Sequence, residues 1–208
     1  MSQKTFILIS LALLSSRLLP AQTPAGLNFP PPETPPAVKA LRAAGEIAID
    51  GILDEGDWGR AIPVTGNDFF RMEPKQGGSF EFTTSVRLLF DEKNLYVGVL
   101  CKDSLGKEGV RVQDFRRDFA FGENDIFSFQ LDPQNLRRYC ASFQVTPLGT
   151  QRDAQVFDDS YIDNDWDALW SVRTKILDNG WSAEFAIPFK SLRYELPKSG
   201  EAVYWGFT

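Results

Sequence analysis

The sequence predicts an all-β protein, an antiparallel β-sandwich, and three observations carry that expectation. Apolar and polar residues alternate with period two in several short runs. Turn dipeptides separate those runs at hairpin spacing. Helical periodicity is almost absent, which leaves sheet packed on sheet as the architecture.

The elements follow in order. Lys4 before the apolar run at residues 5–14 reads as an export signal occupying residues 1–25, since the run is too short to span a hydrocarbon core of about 30 Å. Residues 26–44 hold Pro30, Pro31, Pro32, Pro35 and Pro36 and read as an extended linker. The sandwich is therefore expected over residues 45–208. It opens with Asp50-Gly51, a tight-turn dipeptide. Asp54 is expected to cap a short helical turn, with Glu55 and Asp57 at its positive end and Trp58 packed inward. Residues 84–90 place Val86, Leu88 and Phe90 on one face. The turn Asp91-Glu92-Lys93 leads into residues 94–101, where Leu95, Val97 and Val99 continue the alternation. Residues 126–131 form a strand ended by Asp132-Pro133, and residues 139–145 another stopped by Pro147 and Gly149. Residues 171–177 and 181–187 pair across Asp178-Asn179-Gly180. In the second of these, Trp181, Ala183, Phe185 and Ile187 read as the buried face, and Ser182, Glu184 and Ala186 as the wet one. A last strand begins at residues 203–207, and stopping inside a strand predicts a sandwich truncated at its C-terminus, a fragment of a longer polypeptide.

Composition narrows the function. The 17 Phe and 5 Trp suffice for one substantial core. A net charge of −6 makes nucleic acid an improbable partner and disfavours an anionic membrane surface. The chain has no histidine, which excludes Ser-His-Asp and Cys-His catalysis and the common zinc sites built on histidine. Cys101 and Cys140 are the only thiols; they pair if they fall on neighbouring strands of an exported protein, and otherwise are separate buried cysteines.

Three groups of residues have chemistry to offer. Asp163, Asp165 and Asp167 alternate within the acidic run at residues 158–167, like the start of a calcium loop. Ala168 at the sixth position and Thr174 at the twelfth exclude an EF-hand, which leaves an irregular calcium site or a solvated acidic loop. Trp166 and Trp170 flank the same run, and Phe119 and Phe121 precede Glu123-Asn124-Asp125. Rings beside carboxylates and amides suit a sugar, whose apolar face they cover while polar groups take its hydroxyls; rings in a sandwich equally serve as core or rim. Arginines beside aspartates, at Arg116-Arg117-Asp118 and Arg152-Asp153, form salt bridges inside the chain or at an interface, or clamp a ligand.

Blocks spread along the chain resemble a known family. Ile49-Asp50-Gly51-Ile52-Leu53-Asp54-Glu55 with Trp58, Val86-Arg87-Leu88-Leu89-Phe90-Asp91 leading to Asn94-Leu95-Tyr96-Val97-Gly98, Asn124-Asp125-Ile126-Phe127, Phe143-Gln144-Val145-Thr146-Pro147-Leu148-Gly149 and Gly180-Trp181-Ser182-Ala183-Glu184-Phe185-Ala186-Ile187-Pro188-Phe189 are together similar to a family 9 carbohydrate-binding module, a DOMON-like sandwich. Arg116-Arg117-Asp118, Gly149 to Gln155 and Asp165-Trp166-Asp167-Ala168-Leu169-Trp170 further resemble a subgroup found at the N-terminus of exported bacterial proteins, ahead of an outer-membrane barrel-like region. The resemblance implies a sandwich. It also implies that two tryptophans should grip the sugar, yet the first falls at Phe121-Gly122 and the second beyond Thr208, while a glutamate and an arginine of the family fall at Ser128 and Gln144.

The expectation is a non-catalytic saccharide-binding domain of an exported, periplasmic or outer-membrane-associated protein linked to polysaccharide catabolism. Phe121, Trp166 or Trp170 would stack on an oligo- or polysaccharide, and Glu123, Ser128 and Gln144 would bond its hydroxyls. No cofactor is implied beyond calcium at Asp163, Asp165 and Asp167. The alternative is a docking domain that packs on a C-terminal β-barrel of the same polypeptide through Arg117 and Arg152. A glycoside hydrolase fragment ranks third, because no pair of carboxylates is seen to face across a cleft.

Overall fold

A computed structural model describes residues 36–65, 69, 82–122, 124–158, 161–194 and 202–208. The export signal, the linker as far as residue 35, and Glu123 lie outside the described residues. Among the described residues, ten strands form two five-stranded sheets packed face to face. The first sheet has the order β1-β2-β3-β9-β8, from β1 (Leu41–Arg42), β2 (Thr84–Phe90), β3 (Asn94–Lys102), β9 (Gly180–Pro188) and β8 (Ser171–Leu177). The second has the order β10-β4-β5-β6-β7, from β10 (Gly206–Phe207), β4 (Phe127–Asp132), β5 (Tyr139–Val145), β6 (Gln151–Phe157) and β7 (Tyr161–Asp163). Every pairing is antiparallel except β1 on β2.

Period-two alternation sets the core. Val86 faces Val99 and Leu88 faces Val97 across the β2–β3 pair, and Val97 in turn faces Phe185 on β9. From the second sheet come Phe129, Leu131, Ala141 and Phe143, all buried. The rings interlock: Phe129 meets Phe185 edge to face at 5.1 Å and stacks on Phe143 at 5.5 Å. Such pairs add about 0.5–1.5 kcal/mol each beyond their burial.

The outer face of the first sheet departs from the sequence expectation. Ser182, Glu184 and Ala186 are not wet; they are buried beneath residues 47–61, which form a partial third layer with Ile47, Trp58, Leu89 and Tyr96 at its centre. This layer begins inside the stretch assigned to the linker, because β1 adds to the edge of β2 and the Asp57 carboxylate accepts hydrogen bonds from the Ala44 and Gly45 amides at 2.8 and 3.2 Å. The short helix α1 (Gly56–Arg60) forms where expected but is preceded by an extended Glu55 with no side-chain cap, so Asp54 does not cap it. Glu55 instead accepts from the Ala48 amide at 2.9 Å.

Glu184 holds the layer down. Its Oε2 accepts from the Asp50 and Gly51 amides at 3.0 and 2.8 Å, and its Oε1 from the Trp58 indole at 2.9 Å. The Asp50-Gly51 turn thus has a purpose beyond reversal: Gly51, at φ +91, lies so close to the backbone of Thr174 that a Cβ would stand 2.7 Å from its carbonyl carbon. Opposite Glu184 on β3 is Gly98, where a Cβ would meet Leu53 Cδ2 at 2.2 Å and the Trp58 ring at 2.7 Å. Its missing side chain is the space in which Trp58 lies.

Two outcomes follow from this packing. Gly98→Ala should lose about 1–3 kcal/mol, the usual range for overpacking a filled core, read as a lower denaturant midpoint; an unchanged midpoint would contradict the packing. Burial pushes the Glu184 carboxyl up from 4.5 to about 7, against the Gly51 and Asp50 amides and with Glu55 adding to the rise. Between those values the folded chain holds a proton that the unfolded chain has released, so this contribution to stability is full below 4.5 and falls as pH rises to about 7. Midpoints measured across that interval should decline with pH in the native chain and lose that component in Glu184→Gln.

Candidate functional site

The site is built at β6, whose sequence Gln151-Arg152-Asp153 places charges on both faces of the strand. Neighbouring side chains on a strand point to opposite faces, so Arg152 points outward and Asp153 inward beside Phe143. The short β7 pairs only with residues 155–157, which leaves the start of β6 as an open edge. A finger formed by residues 111–122, 124 and 125 closes that edge. Its root is tied by the Asp125 amide to the Arg111 carbonyl at 2.8 Å and by Asn124 Oδ1, which accepts from the Gln113 and Asp114 amides at 2.7 and 3.1 Å. Near its tip the Asp118 amide donates to the Gln151 carbonyl at 3.0 Å, as a strand neighbour would.

The finger grips both faces of β6. On the inner side Arg117 donates to Gln151 Oε1 at 3.0 Å, to Asp153 Oδ1 at 2.5 Å and to Asp167 Oδ1 at 2.9 Å. The Asp153 side chain is 0% exposed and also accepts from the Ala168 amide at 2.6 Å. Burial raises its carboxyl, and the Ala168 amide and Arg117 oppose that rise. On the outer side Arg152 donates to the Phe119 carbonyl at 2.8 Å and to Asn164 Oδ1 at 2.9 Å, and its guanidinium lies 4.6 Å from the centre of the Phe121 ring. Phe119 is buried, whereas Phe121 remains 58% exposed.

Beside this ring runs a polar row. Ser128 on β4, Gln144 on β5 and Arg152 on β6 are direct cross-strand partners and share the outer face of the second sheet. Gln130 and Ser142 form the next row. Ser128 is exposed, while Gln144 is 6% exposed; its Nε2 donates to Ser142 Oγ at 3.1 Å and its Oε1 has no hydrogen-bond partner among the described residues. A buried amide oxygen without a donor is uncommon.

No family model and no curated protein matches the chain. Among solved structures it is similar to a family 9 carbohydrate-binding module from Caldicellulosiruptor kristjanssonii in complex with cellotriose, at a TM-score of 0.49 and 17% identity over 81% of this chain and 74% of that one. A structure of such a module from the same organism in complex with glucose is similar at a TM-score of 0.47 and 15% identity, over 81% of this chain and 75% of that one.

Of the residues singled out in the sequence, the structure brings Phe121, Ser128, Gln144 and Arg152 to one face. Trp170 is not with them. Its ring stacks on Phe185 at 5.7 Å and meets Phe143 edge to face at 5.4 Å, so it belongs to the core, with Nε1 turned towards Asp153 outside hydrogen-bond geometry. Trp166 is half-buried and packs on Phe143 at 6.1 Å, on the inner side of the second sheet. The calcium expectation is not met: Asp163 accepts from the Asp165 amide at 3.1 Å, Asp167 turns to Arg117, and among the described residues no group of three acidic, cysteine or histidine side chains is placed to hold a metal ion. Part of the run read as a loop is β7. Arg117 and Arg152, expected at an interface, are engaged inside the chain.

Gln130 and Ser142 were not singled out, and Asp153 was named only beside Arg152, whereas its partner is Arg117. The first two were within reach, since polar Ser128, Gln130, Ser142 and Gln144 alternate with apolar Phe127, Phe129 and Phe143. Cys101 and Cys140 do not pair: Cys101 on β3 packs on the core between the sheets, whereas Cys140 on β5 shares the outer face of the second sheet with Ser142 and Gln144. Burial pushes the Cys101 thiol up to about 12. Thiol titration of the denatured, unreduced protein should return two thiols, and a result of none would contradict the placement of these strands.

Proposed function

We propose that this chain is a saccharide-binding domain that does no chemistry of its own, and that its binding face is the outer surface of the second sheet. The observation that carries the reading is the exposed Phe121 ring, backed by the Arg152 guanidinium and adjoining the Ser128–Gln144–Arg152 row. A flat ring covers the apolar face of a pyranose, and the cation behind it limits the ring's own motion. The exposed Ser128 hydroxyl then meets the sugar hydroxyls as donor and acceptor, with the Gln144 amide buried beside it and Arg152 holding the ring. Docking on a downstream barrel through Arg117 and Arg152 has less support, because both side chains already have partners within the chain. Export, and a link to polysaccharide breakdown, belong to the same proposal and rest on Lys4, the apolar run at residues 5–14 and the family resemblance.

Calorimetric titration with cello- and xylo-oligosaccharides to millimolar concentration should give a saturable isotherm. Phe121→Ala should weaken binding about tenfold, or about 1.4 kcal/mol, with little change in melting temperature. A flat isotherm for the native chain across the panel would sink the reading.

A further inference from the structure

We propose that Arg117 is the positioning residue of this face: from the inner side of β6 it fixes the finger so that Phe121 lies over Arg152 on the outer side. The inference rests on the saccharide-binding reading and adds a residue that does not itself line the polar row. Residues 117 and 121 are four apart, yet they lie on opposite faces of one strand. The chain passes around the strand edge between them at Asp118, which takes φ +60 and donates its amide to the Gln151 carbonyl. A non-glycine residue in the left-handed region is held there only when its neighbours over-determine it. Here they do, since Arg117 on one side and Phe119 on the other are each fastened to β6.

The inner fastening is the branched one. Arg117 reaches Gln151 and Asp153 on β6 and Asp167 in the following loop with a single planar guanidinium, with Asp118 Oδ2 a further 3.6 Å from its Nε. A fork of this shape joins three acceptors at fixed angles, which an ammonium or a neutral amide does not. The finger's other ties run within it, from Asp114 and Asn124 to Ala120 and from Arg116 to Asp114, so among the described residues what joins the tip to β6 is Arg117, the Asp118 amide, and Arg152 with its contacts to Phe119 and Phe121. With Arg117 gone, the tip would retain its outer contacts but lose what holds the turn at Asp118, and Phe121 would no longer be presented in one orientation. A ring that must be ordered on binding costs affinity.

Hydrogen exchange and titration of the full chain test this together. In Arg117→Gln without sugar, the amides of residues 118–122 should exchange at least about tenfold faster while those of β4, β5, β8 and β9 keep their native rates. The same variant should bind oligosaccharide about tenfold more weakly, Arg117→Lys should fall between it and the native chain, and Arg117→Gln combined with Phe121→Ala should bind no more weakly than Phe121→Ala alone. Additive losses, or native affinity in Arg117→Gln while Phe121→Ala is weakened, would overturn the proposal and leave the saccharide reading standing. Faster exchange throughout the sandwich would also overturn it, by making Arg117 a general support of the fold. A flat isotherm for the native chain would bring down both.

Discussion

A carboxylate with no access to water, Glu184, is the constraint on which the rest of the fold depends. Burying a charge is expensive unless its oxygens are satisfied, and three N–H donors from residues 50, 51 and 58 satisfy these. Those donors belong to a segment more than a hundred residues away in the chain, so the same bonds that make Glu184 tolerable attach the N-terminal layer to β9. Gly51 and Gly98 let the backbone and the Trp58 ring come close enough for those bonds to form. Ser182 reinforces the joint by donating to the Gly51 carbonyl at 2.6 Å. A central strand with one face in the main core and the other under this layer cannot shift register by one residue without placing Glu184 among Phe129, Phe143 and Trp170.

How legible each element was depends on what its side chains face. β2, β5 and β8 have the bounds that the alternation predicts, because one face of each meets the core and period two survives. The alternation in β9 was also read, but its polar set was assigned to water. Ser182 and Glu184 look like solvent residues in any local window, and only the distant Asp50-Gly51-Trp58 group makes them interior. β6 was missed for a related reason: Arg152 and Asp153 interrupt both faces, and their partners come from a loop 30 or so residues earlier in sequence. β1 and β7 are too short, at 2 and 3 residues, for any periodicity to register.

The binding face was half legible for the same physical reason. Ser128 and Gln144 share a face because strand pairing puts them opposite each other, and their strands were read correctly within a residue or two. The ring that completes the face was harder to assign. Phe121, Trp166 and Trp170 are chemically equivalent candidates in sequence, and what separates them is whether a neighbouring charge or a neighbouring ring receives them. Phe121 meets Arg152, whereas Trp166 and Trp170 meet Phe143 and, for Trp170, Phe185.

The molecule uses buried carboxylates twice, and the two uses differ in a way that suits their tasks. Glu184 is answered only by neutral N–H donors, the Gly51 amide and Trp58 indole in buried bonds and the Asp50 amide in a half-buried one, so burial raises its carboxyl to about 7. Asp153 is answered by a guanidinium that remains 41% exposed. A joint whose carboxylate and indole are buried opens only when the layer lifts from β9, which is appropriate for fastening that layer to the core. A joint with one wet partner lets that partner turn to water, but Asp153, 0% exposed, would then keep only the Ala168 amide, so releasing Arg117 is costly. The finger is therefore fixed to β6 by the need of a buried carboxylate for its cation, and among the described residues it is the segment that carries an exposed ring beside the polar row.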